Sequence, residues 1–367
     1  MQPQPNDARP DHSASTEADA IAQLLHQLLL ARGPGGQEDE VRAICLEHLR
    51  PLCDEAWVDP AGNVVGLVKG AQDEREPRRA VRVMAHMDEI AMVVKHVDTD
   101  GTLRVTALGG ANPVNFGMCP VDILGDHQII PGVLSFGSMH ATGNAPQGAD
   151  VQSGNVHWND VHVITRCSVD TLREHGVRPG SRVTLSRHWR APFRVGDAIA
   201  AHFLDDRAPI AAALHSVQCL DQRRGELACD VYFVFTTLEE ESNAGAMYAA
   251  QTLPGDTTIA LEVGPVMSEY GTRLGVDPII NTGDLKGYYT RSVVSNLAAA
   301  AQRCGYTAQY ALLVDFASDA SAVMSNGTSA RGGCLAIPTE NTHGYEVIVD
   351  GAIQACALTL ADYLATF

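Results

Sequence analysis

Nowhere in the 367 residues does a Cys-x-x-Cys pair occur, and the nine cysteines (45, 53, 119, 167, 219, 229, 304, 334 and 356) are scattered and odd in number. This argues against a zinc finger or a disulfide framework and predicts reduced thiols in a cytoplasmic protein. No stretch reaches the ~18–20 apolar residues of a membrane span. The N-terminus lacks the basic-then-apolar pattern of a secretion signal. Positive charge is scarce: 26 Lys and Arg against 44 Asp and Glu give a formal charge of −18. That argues against a nucleic-acid partner and against docking on anionic lipid, and is compatible with small or basic substrates. No internal repeat is visible. What remains is a globular chain, 45% hydrophobic and 19% charged, long enough for a large core and more than one domain.

Three regions follow from the patterning. Residues 1–17, polar and proline-rich, read as a disordered tail. Helices are predicted over about Glu17–Ala31, stopped by Gly33-Pro34-Gly35-Gly36, and over Glu38–Arg50, with a strand pair turning at Gly62-Asn63. From about Met92 to Arg194 short β-rich runs recur, among them Leu103–Leu108, Val121–Leu124 and Ser181–Leu185. Turns such as Gly109-Gly110 and Asn144-Ala145-Pro146 separate them. This predicts an all-β module, a small barrel, inserted into an α/β domain. After Val195 strands and helices alternate to the end, which predicts a mixed, mostly parallel sheet with helices on both faces. The expected division is therefore 18–92 plus 195–367 for the α/β domain and 93–194 for the inserted barrel. His140 and His162 in the barrel read as structural.

Five strand ends carry the chemistry. Val81–Ala85 alternates like a strand and then delivers His86-Met87-Asp88. Residues two apart face the same way, so His86 and Asp88 project together. A histidine that binds metal usually donates its second ring N–H to a carboxylate. The other four are Asp205-Asp206-Arg207, Glu239-Glu240-Glu241, Glu262 within Ile259–Gly264, and His343 after Ile337–Thr339. Each alone also has an ordinary reading. Asp206 caps a helix and Asp205 pairs with Arg207; three glutamates suit a helix N-terminus; Glu262 needs only a partner.

In this order, His, Asp, Glu, Glu, His, with Pro34-Gly35-Gly36-x-Glu38, Gly62-Asn63, Ala85-His86-Met87-Asp88-Glu89-Ile90, Ser318-Asp319-Ala320 and His343-x-x-Glu346, the chain resembles the tetrahedral aminopeptidases. These are cytosolic dinuclear metallopeptidases of family 42 that include glutamyl and deblocking enzymes. The resemblance runs from about Gly33 to the C-terminus. It implies a zinc-exopeptidase-like catalytic domain and two divalent ions per subunit, zinc first, with cobalt or manganese as alternatives. Asp205 would bridge the ions, with His86 and Glu262 completing one site and Glu240 and His343 the other. Glu239 would be the general base acting on metal-bound water, and Asp88 would orient His86. Two divalent ions with three carboxylates leave a net charge of roughly +1, enough to stabilise bound hydroxide near neutral pH. Short peptides would be the substrates, and the barrel would join twelve subunits into a homo-dodecameric tetrahedron. The chain departs from the usual family pattern at Ala91, Leu238, Ser242 and Glu262; aspartate is usual at the last. Two other readings stand beside this one. One is a related dinuclear amidohydrolase or carboxypeptidase, whose accessory domain normally differs. The other is a non-catalytic self-assembling homologue, which would have no need of Glu239.

Overall fold

A computed structural model describes residues 12–71, 79–138, 140 and 156–367. Its frame is a nine-stranded sheet in the order Glu55–Val58, Val64–Val68, Asp230–Thr236, Ala80–His86, Thr257–Pro265, Arg331–Thr339, Ile279–Asp284 and Gly287–Tyr288, with Gln309–Leu313 beside Ile279–Asp284. The four central strands, from Asp230–Thr236 to Arg331–Thr339, are mutually parallel, and antiparallel pairs flank them. Buried on both faces, the central strands read as nearly unbroken apolar runs. Val81, Val83 and Ala85 point into the large core, where Leu204–Asp221 and Ala352–Ala365 pack. Ala80 and Met84 point the other way, against Ala246, Ala249, Ala250 and Val323 of two short helices. The fold class is thus α/β with a mixed, mostly parallel sheet covered on both faces.

Six strands, Ala91–Val97, Leu103–Leu108, Pro120–Leu124, Ile129–Ser135, His162–Ile164 and Arg182–Leu185, close into a separate barrel. A further three-stranded sheet, Phe193–Val195, Ala198–Ala201 and Glu346–Val349, brings the chain after the barrel beside the chain near its end. The expected strands and helices recur within a few residues, but the first helix differs. It runs His12–Leu30, so residues 12–17 belong to a helix rather than to a tail. Once Leu24, Leu25 and Leu28 dock, each added residue costs little, and no proline lies between His12 and Leu30 to stop propagation. Residues 1–11 and the turn expected at Asn144-Ala145-Pro146 lie outside the described residues. Among the described residues no helix is long and apolar enough to cross a membrane.

Sheet and barrel are joined by a buried charge cluster. Glu89 lies between the end of Ala80–His86 and the start of the first barrel strand, and Arg190 follows the last barrel strand. Glu89 accepts from Arg190 through both oxygens (3.0 Å at Oε2), from Arg207 at 2.7 Å and from the Thr184 hydroxyl at 2.7 Å. All three charged side chains are fully buried. Arg190 also donates to the carbonyls of Ala31 and Leu185, and lies over the Phe203 ring at 4.5 Å. Breaking such a cluster from one side strands two guanidinium ions in the interior. Glu89→Ala should therefore cost about 3–5 kcal/mol, read as a lower urea midpoint. A loss below about 1 kcal/mol, the range of exposed pairs, would contradict the clamp.

Candidate metal centre and active site

The parallel register sets Thr236 opposite His86, so the chain segments after both strands emerge at one edge of the sheet. Ligands in open α/β sheets bind beyond the carboxyl ends of the strands. His86 is 2% exposed. Its Nδ1–H donates to the carbonyl of Asp88 at 3.1 Å, which leaves Nε2 facing Asp205 Oδ1 at 3.0 Å and Glu262 Oε2 at 4.0 Å. Asp205 and Asp206 open the helix Leu204–Asp221 in non-helical conformations joined by a cis peptide. The regular helix begins after them, with Pro209 in its first turn, where a missing N–H is harmless. Asp206 Oδ2 accepts the His86 backbone N–H at 2.9 Å. Its Oδ1 is buried with no hydrogen-bond partner.

The second oxygen of Asp205 faces another histidine. Asp205 Oδ2 lies 3.5 Å from His343 Nε2, and Glu240 Oε1 lies 3.7 Å from the same nitrogen. His343 Nδ1–H donates to the carbonyl of Gly110 at 3.2 Å. Glu346, three residues beyond at the start of the strand Glu346–Val349, accepts the backbone N–H groups of both His343 (3.0 Å) and Asp205 (2.9 Å), which ties the two elements together. Two groups of donor atoms result, His86–Asp205–Asp206–Glu262 and Asp205–Glu240–His343, each within 4.8 Å and sharing Asp205. All five expected metal ligands are brought together here. His140 and His162 join no such group among the described residues.

Glu239 and Glu240 begin a single helical turn, Glu239–Ser242. The Asp88 carboxylate accepts both of their backbone N–H groups, at 2.9 and 3.0 Å, while its nearer oxygen stands 3.6 Å from His86 Nδ1. Asp88 thus holds His86 mainly by its carbonyl and the glutamate pair by its side chain. Glu239 Oε1 accepts from the Asn243 amide at 2.7 Å. The same NH₂ donates to Asp319 at 3.1 Å, and the amide oxygen takes the Lys286 ammonium. These neighbours fix which way the amide faces. Phe203, Leu238 and His343, each within two residues of a ligand or Glu239 or itself a ligand, have positive φ of 67°, 56° and 62°. Such conformations cost about 1–3 kcal/mol each and persist only where surroundings over-determine them.

Sequence reasoning missed Asp206, Asn243 and Asp319 as partners in the site. It also took Gly109-Gly110 for a turn alone. That turn leaves the barrel strand Leu103–Leu108 and abuts the site: a Cβ on Gly110 would stand 2.6 Å from the His343 ring, and one on Gly109 2.8 Å from Glu240 Cβ. Glycine beside a ligand pair was the available signal.

Electrostatics bear on what fits. Burial, then the neighbouring carboxylates Asp206 and Glu239, pushes Glu262 well above the usual carboxylate range. Burial and Asp205 raise Glu240 to about 8. Burial opposes charge on His86, but Asp206, Asp205 and Asp88 outweigh it and hold the imidazole pKa well above its ordinary value. Both Nε2 atoms thus face carboxylate oxygens, with room only for a proton or a cation between them, and Asp206 Oδ1 has no partner. Divalent cations placed among these groups would displace the protons and let the carboxylates ionise. Nitrogen and oxygen donors without thiolate suit divalent ions of the zinc, cobalt or manganese kind.

Above this edge lies a cavity of about 880 Å³, lined by His86, Asp205, Glu240, Glu262 and His343 and by Glu239, Glu241, Glu269, Asp315 and Lys286. The model of the M42 glutamyl aminopeptidase family matches residues 62–358. The chain belongs to that family. It is therefore a metallopeptidase of the aminopeptidase class. The lysyl aminopeptidase of Pyrococcus furiosus is 27% identical over 273 residues, 71% of this chain and 73% of that protein. An aminopeptidase from Desulfurococcus kamchatkensis has the same fold, with a TM-score of 0.84 at 24% identity over 95% of this chain and 96% of its own. So does the TET1 peptidase of Pyrococcus horikoshii, which can assemble into a tetrahedron or a large octahedral shell (TM-score 0.79, 20% identity, 93% and 98% covered).

A raised carboxyl pKa has a definite sign. Glu240 holds its proton at pH 7, so without a cation its contribution to stability is lost as pH climbs from 4.5 through about 8. An entering cation must displace that proton. Calorimetric zinc titration at pH 7 in buffers of different ionisation enthalpy should show protons released on binding, with fewer released at pH 9. No release at pH 7 would contradict the crowding of acids at this site.

Proposed function

We propose that the chain is a dinuclear metal-dependent aminopeptidase that removes N-terminal residues from short peptides. The observation carrying this reading is the pair of ligand groups that share Asp205, with Glu239 beside them in an acid-lined cavity. His86 and Glu262 would hold one divalent ion and Glu240 and His343 the other, with Asp205 between them and Asp206 adding negative charge beside the first. Zinc is proposed, with cobalt or manganese as alternatives. Bound there, two ions supply Lewis acidity and lower the pKa of water toward neutrality.

Glu239 is assigned as general base and acid. It takes a proton from the attacking water and passes it to the departing amine. Its burial, with Asp319, Glu240 and Asp88 close by, gives it a proton affinity well above that of an ordinary glutamate. Asn243 fixes its carboxylate and Asp88 fixes its backbone. The cavity wall adds Glu241, Glu269 and Asp315 against the single ammonium of Lys286. That balance favours a substrate presenting a free α-ammonium group and supports an exopeptidase acting on the N-terminus.

Residues 18–92 and 195–367 form the catalytic unit in this reading, and 93–194 an inserted unit through which twelve copies assemble in the cytoplasm. Sedimentation of the full chain as a dodecamer at micromolar concentration supports the assembly, and a monomer contradicts it. The catalytic reading is tested with aminoacyl-anilides and their N-acetylated counterparts, after chelation and after adding back Zn²⁺, Co²⁺ or Mn²⁺. Metal-restored cleavage that requires the free amine is expected; robust cleavage of the blocked series would favour an amidohydrolase. Glu239→Gln should retain metal and lose about 10²–10⁴-fold in kcat, and undiminished turnover would remove Glu239 from its role.

A further inference from the structure

A second set of metal-ligating side chains lies far along the same helix from Asp205. His215 and Cys219 are four residues apart on Leu204–Asp221 and so share a face. Glu17, on His12–Leu30, meets them there. His215 Nε2 is 3.1 Å from Glu17 Oε1, Cys219 Sγ is 3.9 Å from the same nitrogen, and all three donor atoms lie within 4.8 Å of one another. Zinc bonds of ~2.0–2.3 Å set tetrahedral ligand–ligand edges of ~3.3–3.8 Å, and the two measured edges bracket that range. The imidazole is 3% exposed. Its Nδ1 meets Gln218 Oε1 at 3.2 Å, and a proton held there by the amide oxygen frees Nε2 to ligate on the side facing the carboxylate. That outer hydrogen bond is the arrangement by which proteins fix a ligating histidine. A cavity of about 340 Å³ opens beside the cluster, lined by Glu17, His215 and Gln218 among others, with room for water as a fourth ligand.

We infer that Glu17, His215 and Cys219 form a separate binding site for a thiophilic divalent cation of the zinc type, stapling the N-terminal helix to the helix Leu204–Asp221. A thiolate and a carboxylate neutralise the ion's two charges, and the soft sulfur selects against magnesium and calcium. Burial and the charge of Glu17 hold the Cys219 thiol above its ordinary pKa. Binding therefore forms the metal–sulfur bond as the S–H proton leaves to solvent, and no electron is transferred.

Cobalt separates this site from the catalytic one, because the five catalytic ligands include no thiolate. The full chain loaded with Co²⁺ at micromolar concentration should show a near-ultraviolet thiolate-to-cobalt charge-transfer band. Cys219→Ser should abolish the band while leaving peptide hydrolysis unchanged. Gln218→Ala, which frees the imidazole to turn, should weaken cobalt binding at this band by about 10–100-fold. No band, a band that survives Cys219→Ser, or one needing millimolar cobalt would overturn the site and leave a plain His215–Glu17 hydrogen bond.

Discussion

Asp205, Asp206, Glu239, Glu240 and Glu262 meet at the edge of one sheet, where burial and mutual repulsion prevent them from all ionising unless cations stand among them. Much of the surrounding structure serves to hold that arrangement open. Asp88 and Glu346 spend their carboxylates on backbone N–H groups and so anchor the acids without joining them. Both histidines have Nδ1 committed to a carbonyl, which leaves each Nε2 for a cation. Left-handed backbone at Phe203, Leu238 and His343 turns the chain sharply enough to present neighbouring side chains inward.

The barrel is part of this arrangement rather than an appendage to it. Glu89 between Arg190 and Arg207 locks the chain where it enters and leaves the barrel. With that junction fixed, the Gly109-Gly110 turn reaches the His343 ring and supplies the carbonyl that orients it. A displaced barrel would therefore be felt at His343, the more exposed of the two histidines.

The five positions are legible because a His, Asp or Glu that ends or interrupts an apolar strand is a break in pattern that packing alone does not explain. His86, Asp205, Glu240, Glu262 and His343 were each visible in that way, and the recurrence of the pattern made the family recognisable. Other features left no such mark. Asp206 follows another aspartate, and only the backbone turn at Asp205-Asp206 determines where each carboxylate goes. Asn243 and Asp319 are 76 residues apart and meet through one amide. Glu89 lies in the most recognisable stretch of the chain, yet its partners come from 101 and 118 residues away. The N-terminal helix extends beyond its apolar pattern because its first turns are polar and its docking face begins only at Ile21 and Leu24.

The central claim is that the acids gathered at the strand ends form one two-ion site with Asp205 between the ions. Anomalous diffraction at the zinc edge from crystals of the zinc-loaded protein tests it most directly. The account predicts two strong peaks on either side of the Asp205 carboxylate, one against His86 and Glu262 and the other against Glu240 and His343. A single peak, or peaks that leave Glu262 or His343 without a metal contact, would contradict it.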